Sequence, residues 1–290
     1  MTLSTVSWSP SRVRLRLRPR SIAGGWLVWA CGLVLLLLVA VAAFAPLLAP
    51  YDPNTTDLGN ALLGPTSAHW LGTDQVGRDT LSRLMLGART SLVGPLAVVV
   101  VASLLGVSVG LLAGWCGGWV DAAIGRLVDI GFAFPALLLA ILAVSLFGKG
   151  LFAPVVAMCV AYTPFMARQV RGLVRTIKSR PFVSAYSVQG FGPVSIAVRR
   201  VLPNIAPLML AQATVMFGYA LLDLAALSFL GLGAQPPTSD WGAMINDGRG
   251  AVLLGQPLSA LVPSVAVVVT VVAFNVVGEQ LGDGISRRDP

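Results

Sequence analysis

Few residues in this 290-residue chain have chemistry to offer a substrate. Asp223 lies inside a long apolar region, where an ionisable group is expensive and marks either a wet pathway or a contact with cargo. Two plainer readings stand beside it: a position in water near the outer mouth, or a pairing with a neighbouring helix. Glu279 and Asp283 fall near the end of the last apolar region, where charge is cheap. His69 is the only histidine and sits in a loop, so neither a histidine metal site nor a Ser–His–acid triad can be assembled. Cys31, Cys116 and Cys159 show no paired spacing and read as small buried hydrophobes. Gly148-Lys149-Gly150 lacks both the spacing and the hydroxyl of a phosphate loop. No carboxylates are paired for acid–base work. The expectation is a chain with no catalytic residue, no metal site and no cofactor of its own.

What must position these residues is a membrane. The chain is 56% hydrophobic and 11% charged, where a soluble domain carries about a quarter charged residues. Crossing about 30 Å of hydrocarbon takes about 20 helical residues, and six charge-poor stretches reach or approach that length. They run between Arg20 and Asp52, Arg89 and Asp121, Asp129 and Lys149, Lys149 and Arg168, Arg200 and Asp223, and Arg249 and Glu279. Gly148, Lys149 and Gly150 mark the turn between the third and fourth. The alternation of a barrel is absent, so the fold class is an all-α polytopic membrane protein with six transmembrane helices. The first apolar run is too long for a signal-peptide core and reads as a retained helix.

Positive charge sets the orientation. With the N-terminus inside, the cytoplasmic pieces hold Arg12, Arg14, Arg16, Arg18 and Arg20, then Arg126, the basic run from Arg168 to Arg200, and Arg287 with Arg288. These are most of the 20 Lys and Arg, so both termini are expected in the cytoplasm. The +8 net charge is then a topology signal, and no nucleic-acid partner is expected.

The division expected is a basic N-terminal segment over 1–21, a first helix over 22–49, an outer loop over 50–90, a five-helix core over 91–283 and a tail over 284–290. In the outer loop, the prolines and glycines up to Pro65 read as loop, and the stretch 70–92 as an amphipathic helix with Asp79 and Arg83 paired on its surface. In the second span, Gly106, Gly110 and Gly114 form small-xxx-small steps, read first as intrachain packing. The second outer segment, 231–256, reads as an ordered turn with Trp241 at the membrane interface.

One interruption is too polar to span. From Arg180 to Asn204 the chain keeps Phe182, Val183, Tyr186 and Phe191 at roughly one helical face, broken by Gly190, Gly192 and Pro193. It reads as a cytoplasmic docking element.

Several blocks resemble one family. Trp70-Leu71-Gly72-Thr73-Asp74, with Gly77-Arg78-Asp79 and Ser82-Arg83-Leu84, is similar to the outer-loop signature of dipeptide/oligopeptide/nickel-type ABC importer permeases. Leu227-Ser228-Phe229-Leu230-Gly231-Leu232-Gly233, Gln235-Pro236-Pro237 and Trp241-Gly242-Ala243-Met244 resemble that family's fifth-helix exit. Ala273-Phe274-Asn275 with Gly278 resembles its last helix. The blocks occur in order over nearly the whole chain.

The resemblance implies a type I ABC importer permease fold, the "C" member of a two-permease pair, in a bacterial inner membrane. It implies a homologous second permease, two ATPase subunits that bind the ATP and magnesium, and an extracytoplasmic solute-binding protein. Peptides are the implied cargo, with nickel or haem as alternatives; a self-sufficient secondary transporter relying on Asp223 is the reading from another class. The resemblance also makes 180–204 the coupling loop. Its E-A-A positions fall at Ser184, Ala185 and Tyr186, its glycine at Gly190 and its closing Leu-Pro at Leu202-Pro203. The glutamate is replaced by serine, and Tyr186 stands where a small residue is usual, so the ATPase groove is expected to accommodate Tyr186. Phe182 to Phe191 would form the coupling helix. Gly72, Thr73, Asp74, Gly77, Arg78, Asp79 and Trp241 would contribute to the outer gate or the binding-protein contact. A carboxylate often found just before Ala-x-Leu-Ser-Phe-Leu-Gly is here Leu224, with Asp223 one residue earlier, about 100° away around a helix.

Overall fold

Backbone that leaves water must satisfy its own hydrogen bonds, and each long apolar run here does so as a helix. The computed structural model describes residues 23–286. The arginines before residue 23, and Arg287 with Arg288, lie outside the described residues, as does the side chain of Asp283. The helices are α1 (Ala23–Leu48), α2 (Thr80–Cys116), α3 (Gly118–Phe132), α4 (Ala136–Phe147) and α5 (Phe152–Lys178). The short α6 (Pro181–Val188) and α7 (Pro193–Ile196) follow, and α7 runs through a π-helical turn, Ala197–Val201, into α8 (Leu202–Phe229). Two more short helices, α9 (Trp241–Asp247) and α10 (Arg249–Leu253), precede α11 (Leu258–Ser286). Among the described residues the one β interaction is an isolated antiparallel bridge between Thr73 and Asp79.

The six spans expected are met in part: among the described residues four helices are long and apolar enough to cross a membrane, or up to five if α3 and α4, bent by 76°, form one span. Pro135 heads α4 and breaks the run there. The helix α5 falls short on composition, because Tyr162, Thr163, Pro164, Arg168 and Gln169 dilute its apolar start. The turn at Gly148-Lys149-Gly150 is present, with both glycines at positive φ.

Glycine decides how closely the helices approach. A Cβ on Gly106, Gly110 or Gly114 would lie 2.6 Å from Met166 Cβ, 2.6 Å from the Ala167 carbonyl oxygen and 2.8 Å from Val174 Cβ, so the small-xxx-small face of α2 is its seam with α5. The α8–α11 seam is built the same way: a Cβ on Gly278 would sit 2.0 Å from Thr214 Oγ1, and Phe217 and Phe274 stack with centroids 3.9 Å apart. At the Cys116 end of α2, Lys178 Nζ donates to the Trp115 carbonyl. Near that end, buried Asp121 on α3 accepts from Arg171 and Arg175 of α5. Cys31 and Cys159 are buried as expected, but Cys116, last in its helix, is exposed.

Candidate functional site

The LGTD and GRD residues do not form a surface helix. Residues 70–79 fold as a tight turn, and the helix begins only at Thr80, where Asp79 Oδ2 accepts from the Ser82 N–H at 2.8 Å and caps it. The other oxygen of Asp79 meets His69 Nδ1 at 2.9 Å. Both motif glycines have left-handed φ, +73° at Gly72 and +78° at Gly77. An added Cβ at Gly72 would meet the Leu63 carbonyl oxygen at 2.3 Å, and one at Gly77 the Asp57 carbonyl oxygen at 1.8 Å. The motif needs glycine there because the turn is pressed against the preceding loop.

Asp74 is the centre of this turn. Its Oδ1 accepts from the backbone of Val76 (3.0 Å) and Arg78 (2.9 Å). Its Oδ2 accepts from Arg78 Nε at 2.6 Å and Arg83 Nη1 at 3.3 Å. Both arginines continue to Asp247 Oδ2 in α9, at 3.1 Å from Arg78 and 3.5 Å from Arg83. Gln75 adds a bond to the Asp247 carbonyl. Arg83 therefore pairs across the fold and not with Asp79, since capping already occupies that carboxylate. Burial pushes the Asp247 carboxyl above the ordinary carboxylate range, and Arg78 draws it back only in part.

A second tie lies beside it. Asp240 caps α9 through the Ala243 N–H and accepts from Ser91 Oγ at 2.9 Å, while Ser91 accepts from the Trp241 N–H. The Trp241 indole donates to the Leu84 carbonyl at 3.0 Å, and the side chain is 1% exposed. Trp241 is thus a core residue pinning α9 to α2, not an interfacial aromatic. Thr73, Asp74 and Asp79 are buried as well. These motif side chains hold the loop in shape; any contact with another protein is made by the surface they support.

At the opposite end of α2 and α5, the polar interruption forms α6, which stops at Val188. Gly190, at φ +84°, ends it, so Phe191 lies beyond the helix. Phe191 nevertheless returns to it: its N–H donates to the Tyr186 carbonyl, and its ring meets the Tyr186 ring edge-on at 5.5 Å. Phe182 approaches the same ring at 6.5 Å, and the Arg200 guanidinium lies 4.5 Å from its centroid. Tyr186 is therefore also used inside the chain, as a clamp between α6 and the π-helical turn that leads into α8, while staying partly exposed. Val183 is buried against the core, Leu202 is half-buried beside it, and Pro203 is exposed. The exposed residues of α6 are Pro181, Ser184, Ala185, Ser187 and Val188, the last 88% exposed.

Asp223, on α8, accepts from Tyr162 Oη of α5 at 2.9 Å and is half-buried; neighbouring Leu224 is 5% exposed and faces the core. The pairing with a neighbouring helix is therefore real, and it lies within the chain. Sequence reasoning missed Asp247, Tyr162 and Val188. The first lies 169 residues from Arg78, so no local spacing announces the contact. Tyr162 looked like any aromatic in an apolar run, and Val188 gains meaning only once the rest of its helix is covered.

Residues 106–288 match the family described as binding-protein-dependent transport system inner membrane component, and residues 14–65 match the N-terminal TM domain of oligopeptide transport permease C. The chain is 41% identical over 260 residues to the glutathione transport system permease protein GsiD of Pectobacterium atrosepticum, covering 89% of this chain and 86% of that one. It is 38% identical over 262 residues to the nickel transport system permease protein NikC of Escherichia coli K12, covering 90% and 94%. It is also 38% identical over 250 residues to the dipeptide transport system permease protein DppC of Alkalihalophilus pseudofirmus, covering 86% and 82%. Among solved structures, a chain of the MetNI methionine ABC transporter aligns with a TM-score of 0.51 at 19% identity, over 67% of this chain and 94% of that one, which establishes likeness of fold.

Proposed function

The chain belongs to the family of binding-protein-dependent transport system inner membrane components, and from that premise we propose how it works as the permease subunit of an ATP-driven importer. It is a multi-pass inner-membrane protein of the peptide and nickel permease type. Its partners are a homologous second permease, a pair of ATPase subunits that carry ATP and magnesium, and an extracytoplasmic binding protein. Both termini and α6 face the cytoplasm, and the loop between α1 and α2 faces outward. The chain itself performs no catalysis.

One observation carries the coupling reading: α6 is a short helix with a free face, tied by Tyr186, Phe191 and Arg200 to the base of α8. A push delivered to Ser184, Ala185 and Val188 passes through that clamp into a 37-residue helical run, Pro193–Phe229, as a rigid-body displacement. Gly190 lets α6 turn back on the clamp, and Leu202-Pro203 begins the long helix that receives the motion. At the outer end, Gly72, Thr73, Asp74, Gly77, Arg78, Asp79 and Trp241 hold the loop, α2 and α9 as one gate element. Asp223 belongs to the pathway between them.

Peptides are the cargo this reading favours, since two of the relatives named above carry peptide substrates in their names and the permease C match is to oligopeptide transport. Nickel is the second reading, favoured by the similarity to NikC over 90% of the chain. Co-expression with the partner subunits tests the coupling: deleting Phe182 to Gly190 is expected to abolish recovery of the ATPase subunits with the permease. One-to-one recovery of the ATPases with the deleted chain would sink it.

A further inference from the structure

The carboxylates of the described residues are nearly all accounted for where they are buried. Asp74 and Asp247 meet Arg78 and Arg83, Asp121 meets Arg171 and Arg175, Asp79 meets His69 and a helix N-terminus, and Asp240 caps α9. Asp223 differs. It sits in a membrane-spanning helix, half-buried, and its hydrogen-bond partner among the described residues is the Tyr162 hydroxyl, a neutral donor. A charge in that setting without a counter-ion is costly, and sites of this kind are kept for a function.

What lies beside Asp223 indicates the missing partner. Met216, Tyr219 and Asp223 follow one another at helical spacing of three and four, forming one stripe of α8. Met216 and Tyr219 line a cavity of about 280 Å³ together with Tyr162 and Phe165 of α5 and with Phe132 and Phe134 at the α3–α4 break. Five aromatic rings thus line the space, and one of them, Tyr162, holds the Asp223 carboxylate through its hydroxyl; the Arg168 guanidinium already lies 3.9 Å from the Phe132 ring. Tyr219 is 58% and Phe134 60% exposed, so the space opens outward from the chain rather than closing as core. Ring faces carry negative potential and attract organic cations, most strongly where water is displaced. A divalent metal is held by several His, Cys or carboxylate ligands, and among the described residues no cluster of three such groups is found here or elsewhere.

We infer that the Tyr162–Asp223 pair and its aromatic cavity form a transient subsite in the translocation pathway for a cargo ammonium group, such as the amino terminus of a short peptide. The proposal rests on the permease reading above and sharpens it, separating an amine-bearing cargo from a bare metal ion. The ammonium donates to the free lone pairs of the Asp223 carboxylate while the rings replace part of its hydration shell. Tyr162 positions the carboxylate and lines the cavity. The α3–α4 break contributes Phe134, so the shape of the site depends on that 76° bend.

Saturation-transfer NMR on the assembled importer in lipid nanodiscs tests it, using two probes of nearly equal size. Alanyl-alanine amide carries the ammonium; N-acetyl-alanyl-alanine amide does not. The first is expected to bind and the second to give no signal. Asp223→Asn should weaken binding of the ammonium probe about ten-fold or more, since a charged hydrogen bond is removed. Tyr162→Phe, which keeps the ring and frees the carboxylate, should stay within about three-fold. Phe134→Leu, on the exposed rim, should weaken binding about three-fold and reads the site even if the Asp223 variant fails to assemble. Equal binding of the two probes, unchanged binding in Asp223→Asn or Phe134→Leu, or equal loss in the Asn and Phe variants overturns the proposal. So does binding by the isolated chain that vanishes on assembly, which would mean that a partner's cation fills the site. An importer that loses its ATPases when Phe182 to Gly190 is deleted, yet binds neither probe, overturns the subsite and leaves the importer reading intact.

Discussion

The two ends of the helix bundle solve opposite problems with similar residue types. At the end that holds the loop between α1 and α2, charged and aromatic side chains turn inward: Asp74, Arg83 and Trp241 are almost wholly buried and join segments more than 150 residues apart. At the end that holds α6, the aromatic and basic side chains of 180–204 clamp neighbours in sequence, and the helix they hold keeps one face bare. Both are conspicuous in the sequence as polar breaks between apolar runs. The difference teaches that a signature motif can be a structural knot while a degenerate one keeps an exposed face, the one proposed above as the working surface. Residues packed into a knot cannot touch a partner, whereas a clamp that uses up its aromatic ring leaves the small residues on the opposite face for docking.

That contrast is open to direct attack. The largest effect expected is from Arg83→Ala at the knot around Asp74. Removing one member of a buried ion-pair network leaves Asp74 and Asp247 short of positive charge and should cost about 3–5 kcal/mol. Thermal melting of the purified importer would register it as a large drop, and a melting curve like that of the wild type would show that the knot is not structural. Next is Gly77→Ala, which forces a left-handed φ on a residue with a Cβ and drives that Cβ into the Asp57 carbonyl. A loss of about 2–3 kcal/mol is expected, from strain at such a backbone position. If the variant melts as the wild type does, the loop does not press on the turn as described.

The smallest effect on stability is expected from Val188→Asp on the bare face of α6. An exposed substitution away from any packed feature should stay within about 0.5 kcal/mol, yet it places a charge where an ATPase is proposed to dock. Co-purification of the ATPase subunits should fall several-fold at unchanged melting temperature. Should Val188→Asp destabilise the chain as Gly77→Ala does, or leave ATPase recovery intact, the division between knot and working surface fails.

Much of this was legible in the residues. Charge-poor runs of sufficient length called for helices, Gly106, Gly110 and Gly114 called for a close helix pair, and α2 and α5 meet there. Glycine positions marked the turns at Gly148 and Gly190, whereas Pro135 falls inside the one span expected between Asp129 and Lys149, which the structure breaks there. Harder to read were the spans built on Phe152–Lys178 and on the α3–α4 pair, because hydropathy averages over a run and does not report a 76° bend within it. The outer signature was legible as a motif and misread as a surface helix. Spacing shows that Asp79 and Arg83 are four apart, but not that a cap has already taken the carboxylate.

By itself, then, the sequence determined what is local or additive: membrane residence, the positions of most helices, and the family. The tertiary structure alone decided what depends on meetings between distant residues. It turned Arg83 from a surface partner of Asp79 into the bridge between Asp74 and Asp247, and Trp241 from an interfacial aromatic into core. It made Tyr186 a clamp, and it left Asp223 beside a phenol with no cation among the described residues. The physical reason is range. Helix propensity and hydropathy act over a few turns of chain, whereas ion pairing, burial and ring contact are fixed only when the packed helices choose which side chains share a space.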